Sequence, residues 1–197
     1  MAIDTGIAVD CSDLVEVGGV NNVYVTDLSN ITTVTTDTGG GYSSLAGTAD
    51  WAMFQTKPDT ASFNVTSTIE NGITQYEATI SWYIPNITKN DLAQIKDMQG
   101  ACIVAVAQFR SGLGSAGGAN STNRVVGMSE EYKGFGVSSN YLYNDTYGRM
   151  TVEFTSGTTF EDGNGATITI TAPSYEPPRV YTGTISADSN NTAAALA

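Results

Sequence analysis

A chain of 197 residues with 41% hydrophobic content can form one domain with its own core, burying roughly 70% of its unfolded surface. Its 20 acidic and 8 basic residues leave a net charge of −12, which argues against affinity for nucleic acid or anionic membranes, since both need clustered Lys and Arg. There is no histidine, so Ser-His-Asp triads, imidazole bases and His-ligated metals are excluded together.

Positions 1–19 carry few apolar residues and read as an N-terminal arm. They hold no basic segment followed by an apolar run, so no secretory signal and an intracellular synthesis are expected. No stretch approaches the ~20 apolar residues of a membrane-spanning helix. Short strands are expected at 22–27 and 51–57, and the Thr-rich stretch 31–38 reads as a further strand or an extended arm.

Positions 61–84 are the most informative part of the chain. Two alternating strands meet at Asn71-Gly72, the strongest short signal for a two-residue type I′ turn, because both central residues need φ > 0. That turn sets Glu70 opposite Ile73 and fixes every later pair. One face then holds Ala61, Phe63, Val65, Ser67, Tyr76, Ala78, Ile80 and Trp82 and is expected to meet the core. The other holds Ser62, Asn64, Thr66, Thr68, Glu70, Gln75, Glu77, Thr79 and Ser81, with no Lys or Arg among them. Such a smooth, cation-free face suits a surface past which polyanionic DNA slides without sticking.

A helix is expected from about Thr88 to Gln99. Thr88 caps it, Asp91 completes a capping box, Leu92, Ile95 and Met98 form an apolar stripe, and Gly100 closes it in a left-handed conformation. Further strands are expected at 101–110, 124–130, 149–155, 166–172 and 179–186, while 112–123 and 134–148 read as loops. The segment 187–197 is small and polar and reads as a disordered tail, or an arm ordered only by a partner. Many short strands with turn signals between them indicate an all-β fold, a sandwich or barrel of antiparallel strands flanked by one α-helix. The expected organisation is an arm at 1–19, a single β domain at 20–186 and a tail at 187–197.

Little here supports catalysis or cofactor binding. Cys11 and Cys102 lack metal or redox spacing, and Cys102 reads as a small buried hydrophobe. Glu130 with Glu131, and Glu161 with Asp162, are adjacent in sequence and so point to opposite faces of any strand, unlike a glycosidase dyad. Gly112, Gly114 and Gly117 match a phosphate-loop pattern but lead into no helix. Asp162 with Asn164, and Asp188 with Asn190, lack the later ligands of a calcium loop. The Asn-x-Thr sequons at Asn30, Asn64, Asn86, Asn120, Asn144 and Asn190 read as compositional. Tyr132, Phe135, Tyr141, Tyr143 and Tyr147 lack interleaved cations and suit protein contacts better than base stacking.

The order of motifs in the second half resembles that of bacteriophage major tail (tail tube) proteins. The helix Thr88–Lys96 leads into the apolar strand Ile103–Ala107, followed by Asn123–Met128, Gly148–Phe154, the turn Glu161–Gly165, the alternating Ala166–Ala172, and Glu176–Val180. The likeness covers about Ser81 to Tyr181. It implies a two-sheet β fold flanked by one helix, whose copies close into rings, six in that family, that stack into a tube for the genome. It implies a virion tail protein made in the host bacterial cytoplasm, with itself and other tail proteins as partners, DNA passing without specific binding, no membrane contact, no cofactor and no catalytic residues. Asn64, Thr66, Thr68, Glu70, Gln75, Glu77, Thr79 and Ser81 would then face the lumen. The alternative is a secreted or surface β-sandwich adhesin or carbohydrate-binding module using its aromatic loops, or another tail or connector component of the virion.

Overall fold

Side-chain alternation along extended backbone sorts this chain into layers. The computed structural model describes residues 19–57, 59–110, 122–129, 146–156, 164–187 and 193–196. Its strands are β1 (Val20–Asp27), β2 (Ile31–Thr36), β3 (Tyr42–Gly47), β4 (Trp51–Gln55), β5 (Ser62–Glu70) and β6 (Ile73–Pro85). After helix α1 (Lys89–Gln99) come β7 (Ile103–Phe109), β8 (Arg124–Val126), β9 (Arg149–Thr155), β10 (Gly165–Ser174), β11 (Ile185–Ala187) and β12 (Ala193–Leu196). Among the described residues the protein is all-β with one α-helix, as its sequence pattern implies.

The strands form a six-stranded sheet in the order β11-β12-β4-β1-β7-β8, a four-stranded sheet β5-β6-β10-β9, and the hairpin β2-β3. The first core lies between the two larger sheets: Val23 and Val25 of β1 and Ile103, Ala105 and Ala107 of β7 face Ala78, Ile80 and Trp82 of β6 and Ile168 and Ile170 of β10. The intervening residues of the same strands, Tyr24, Val104 and Val106, enter a second core with Ile31, Tyr42, Leu45, Trp51 and Tyr181. β7 is therefore covered on both faces, which is why its sequence is an unbroken apolar run rather than an alternation.

Several expectations need correcting. Within the stretch 31–38, Ile31–Thr36 form a strand, and its partner β3 is one that sequence reasoning missed. The expected strand at 124–130 stops at Val126, because Gly127 turns to φ 90 and a Cβ there would strike the Ile103 carbonyl. The strand expected at 179–186 is instead two isolated bridges, from Val180 to Arg124 and from Tyr181 to Tyr42, followed by the short β11. The tail read as disordered from 187 contains β12, which pairs with β4 and β11 and buries Ala194 and Leu196. The N-terminal arm lies outside the described residues apart from Gly19, as do the two acidic pairs, the glycine-rich loop and most of the tyrosine cluster. Cys102 is only half-buried, at the margin of the second core.

Helix α1 keeps its capping box: the Asp91 amide donates to Thr88 Oγ1 at 3.4 Å and the Thr88 amide donates to Asp91 Oδ2 at 2.7 Å. Gly100, however, is right-handed (φ −93), so the helix does not end in a left-handed cap. Of the expected stripe, Ile95 is buried and Met98 half-buried, but Leu92 is exposed.

Two buried tyrosines set an alkaline limit. The Tyr24 hydroxyl donates to Gln108 Oε1 at 2.9 Å, and the Tyr181 hydroxyl donates to the Thr184 carbonyl at 3.3 Å. Burial raises both above the ordinary phenol value, and for Tyr24 a hydrogen bond from Asn22 offsets part of the rise. A raised folded-state pKa gives stability that is complete below the unfolded value, ~10, and lost as pH climbs through the folded one. Thermal melts should therefore hold steady at neutral pH and fall above about pH 10, and Tyr24→Phe with Tyr181→Phe should flatten that fall.

Candidate functional site

The Asn71-Gly72 turn has φ of 51 and 80, the left-handed pair a type I′ turn requires. The register it sets is the one the sequence specifies, from Glu70↔Ile73 through Thr66↔Glu77 and Phe63↔Ile80 to Ser62↔Ser81. The core face behaves as expected at Ala78, Ile80 and Trp82. Tyr76 is a correction: it is half-buried, because β10 pairs with β6 only as far as Tyr76 and the ribbon runs on beyond the sandwich.

All eight residues assigned to the polar face lie on one side of the ribbon. Asn64, Thr66, Thr68, Glu70 and Glu77 are exposed, and Gln75, Thr79 and Ser81 are half-buried among their neighbours. The register carries this face across the whole sheet. Asn64 aligns with Thr79, Thr171 and Arg149; Ser62 with Ser81, Thr169 and Thr151; Tyr83 with Thr167 and Glu153. The Ser81 and Thr169 hydroxyls hydrogen-bond across strands at 3.2 Å. Sequence reasoning assigned only the hairpin to this surface. The Thr-Ile-Thr-Ile-Thr alternation of 167–171 carries the signal for the rest, once β10 is known to lie beside β6.

The wider face changes one electrostatic expectation. The hairpin has no cation, but Arg149 stands on the same side of β9, its guanidinium 5.5 Å from the Tyr147 ring centre. With Glu70, Glu77 and Glu153 the surface remains predominantly acidic and hydroxylic. The strands β5 and β9 are the two outer strands of this sheet, and neither has a further strand beside it among the described residues. The sheet thus offers a polar face and two open edges, with no clustered acid, base and nucleophile on it.

A second concavity, of about 840 Å3, lies between the β2-β3 turn and residues 176–182. Arg179 organises it: the guanidinium reaches Glu176 Oε2 at 2.8 and 3.0 Å, donates to the Gly40 carbonyl at 2.8 Å and lies 5.8 Å from the Tyr42 ring centre. Asp37 accepts from the Thr182 hydroxyl and the Gly41 and Gly39 amides, and these bonds hold its carboxyl below the ordinary range. These contacts tie a turn to a neighbouring segment and are fully used in doing so. Among the described residues no group of three or more Cys, Asp or Glu gathers as a metal site, and no helix is long and apolar enough to cross a membrane. The sequon residue Asn30 has a structural task, bonding Thr26, Thr48 and Ala49 through its side chain.

The fold and the site define a class: a layered antiparallel β protein presenting an open four-stranded sheet with a hydroxyl-rich outer face. Comparison with protein-family models, curated proteins and solved structures gives no match to this chain.

Proposed function

We propose that this chain is a ring-forming structural subunit of a phage tail tube, a conduit through which DNA passes without being bound. The observation that carries the reading is the four-stranded sheet: one face is packed into a core, the other is lined by Ser, Thr, Asn and Glu, and both edge strands are open. An open edge is a template for pairing. Pairing β5 of one copy with β9 of the next would satisfy both edges, curl the sheets into a closed barrel and turn the polar faces inward. The order of motifs, which resembles that of tail tube proteins, supports the same assembly and suggests six copies. Other tail proteins would meet the ends of the tube, and the protein would reside in the virion.

The acidity then has a use. A lumen with Glu77, Glu153, hydroxyl groups and few cations gives phosphates little to hold, so sequence-independent contacts do not accumulate along the passage. Sedimentation and negative-stain microscopy of the purified chain test the reading. Rings or tubes of uniform diameter are expected as concentration rises; a single monomer boundary at every concentration and ionic strength would sink it.

A further inference from the structure

The two ends of the four-stranded sheet differ in a complementary way. At one end the β5-β6 ribbon projects past β10, and its tip carries Ile69 and Ile73, 75% and 55% exposed, on opposite faces of the ribbon. At the other end, beside the paired Pro85, Gly165 and Thr155, lies a groove of about 430 Å3. It is lined by Ile87 and Leu92 from the start of the helix and by Phe154, Thr155, Ser156, Asn164 and Gly165 from β9 and the start of β10. Leu92 and Phe154 are 46% and 56% exposed. Phe154 shares a strand face with the buried Met150 and half-buried Val152, so the groove continues the first core past the end of the sandwich.

We infer that the groove between Leu92 and Phe154 receives the Ile69–Ile73 hairpin tip of a second copy, and that this contact stacks one copy on the next along the strand direction. The occupant cannot be the chain's own tip. Strand β6 runs 13 residues from one site to the other, about 40 Å at the usual rise per residue. A ribbon tip with an aliphatic side chain on each face suits a groove that offers Ile87 and Leu92 from the helix and Phe154 from β9 better than a flat patch. Charge agrees with the fit. Glu70 is the charged residue of the tip, while Lys89 and Lys96, three residues before and four after Leu92, share its helix face and are exposed. A tip at one end and its socket at the other make a heterologous contact, which repeats without closing. The inference deepens the tube reading, on which its biological meaning rests, by naming the contact between rings.

The experiment uses the full chain with Cys11→Ser and Cys102→Ser, adding Ile73→Cys and Leu92→Cys, oxidised at assembling concentration. If tip and groove meet, the double variant gives a ladder of disulfide-linked dimers, trimers and higher species, while each single cysteine gives no ladder. Independently, with native cysteines kept, Ile69→Ser with Ile73→Ser should weaken stacking by about a hundredfold, since it removes two aliphatics buried in the contact. Glu70→Lys should weaken stacking at low salt and be rescued by Lys89→Glu with Lys96→Glu. Normal ring stacking by the Ser variant together with no ladder from the double-cysteine variant would overturn this contact and leave the ring reading standing. A ladder without any rings supports the contact and removes the ring reading.

Discussion

Trp82→Ala is expected to destabilise the subunit by about 3–5 kcal/mol, enough to unfold a domain of ordinary stability, whereas Trp82→Phe is expected to cost less than about 1.5 kcal/mol. Trp82 is fully buried on β6, stands opposite Ile168 of β10, and meets the Phe54 ring across the core at 5.5 Å between centres. It joins the four-stranded sheet to β4 of the six-stranded one. Truncation to Ala leaves a cavity bounded by two sheets, and sheets held by long ladders cannot collapse into it. Phe keeps most of the volume. It also removes a donor that meets no acceptor among the described residues, since the indole N–H is buried without a partner. Denaturant melts at constant m-value would read both changes as shifts in midpoint. Equal losses for Ala and Phe would mean that the indole N–H has a partner and that hydrogen bonding, not packing, anchors this side chain.

The parts of the fold that local chemistry dictates are legible in the sequence. Asn71-Gly72 can hardly be anything but a tight hairpin turn, and once it is placed, strict alternation fixes the register and the two faces through nine pairs, from Glu70↔Ile73 to Ser62↔Ser81. The helix start is likewise local, because Thr88 and Asp91 satisfy each other's amides. What depends on distant partners is not legible. Leu92 sits on the apolar stripe of its helix, but periodicity does not tell where the opposing sheet ends. β12 is made largely of alanine, which signals neither strand nor burial, and is a strand because β4 and β11 flank it. β3 carries Ser, Ala and Gly where strand patterns favour branched and aromatic residues, and its place follows from β2. The polar surface was half visible: the hairpin announced its own face, while Arg149, Thr151 and Glu153 joined it only through the β6-β10-β9 ladder.

The second large effect expected is a gain of DNA binding. Rings assembled from the unaltered chain should show no measurable affinity for a short DNA duplex, because among the described residues the polar face presents Glu70, Glu77 and Glu153 against Arg149. Glu77→Lys with Glu153→Lys inverts that balance in every subunit. Both residues are exposed on the solvated side of the sheet, away from either core, so folding and assembly should survive the change. In a closed ring the new ammonium groups would repeat around the lumen, and a duplex within it would meet several at once. Each phosphate contact is weak alone, but their number sets the salt dependence, with log K falling by roughly 0.9 per contact for each tenfold rise in salt. Fluorescence anisotropy of a labelled duplex should therefore show binding by the double variant at low salt that vanishes near physiological ionic strength and above. Arg149→Glu in the unaltered background should change nothing, since it only deepens an existing repulsion. If the double variant assembles and still ignores DNA at low salt, the polar face does not line a passage open to a duplex, and the lumen must be formed by another surface of the subunit.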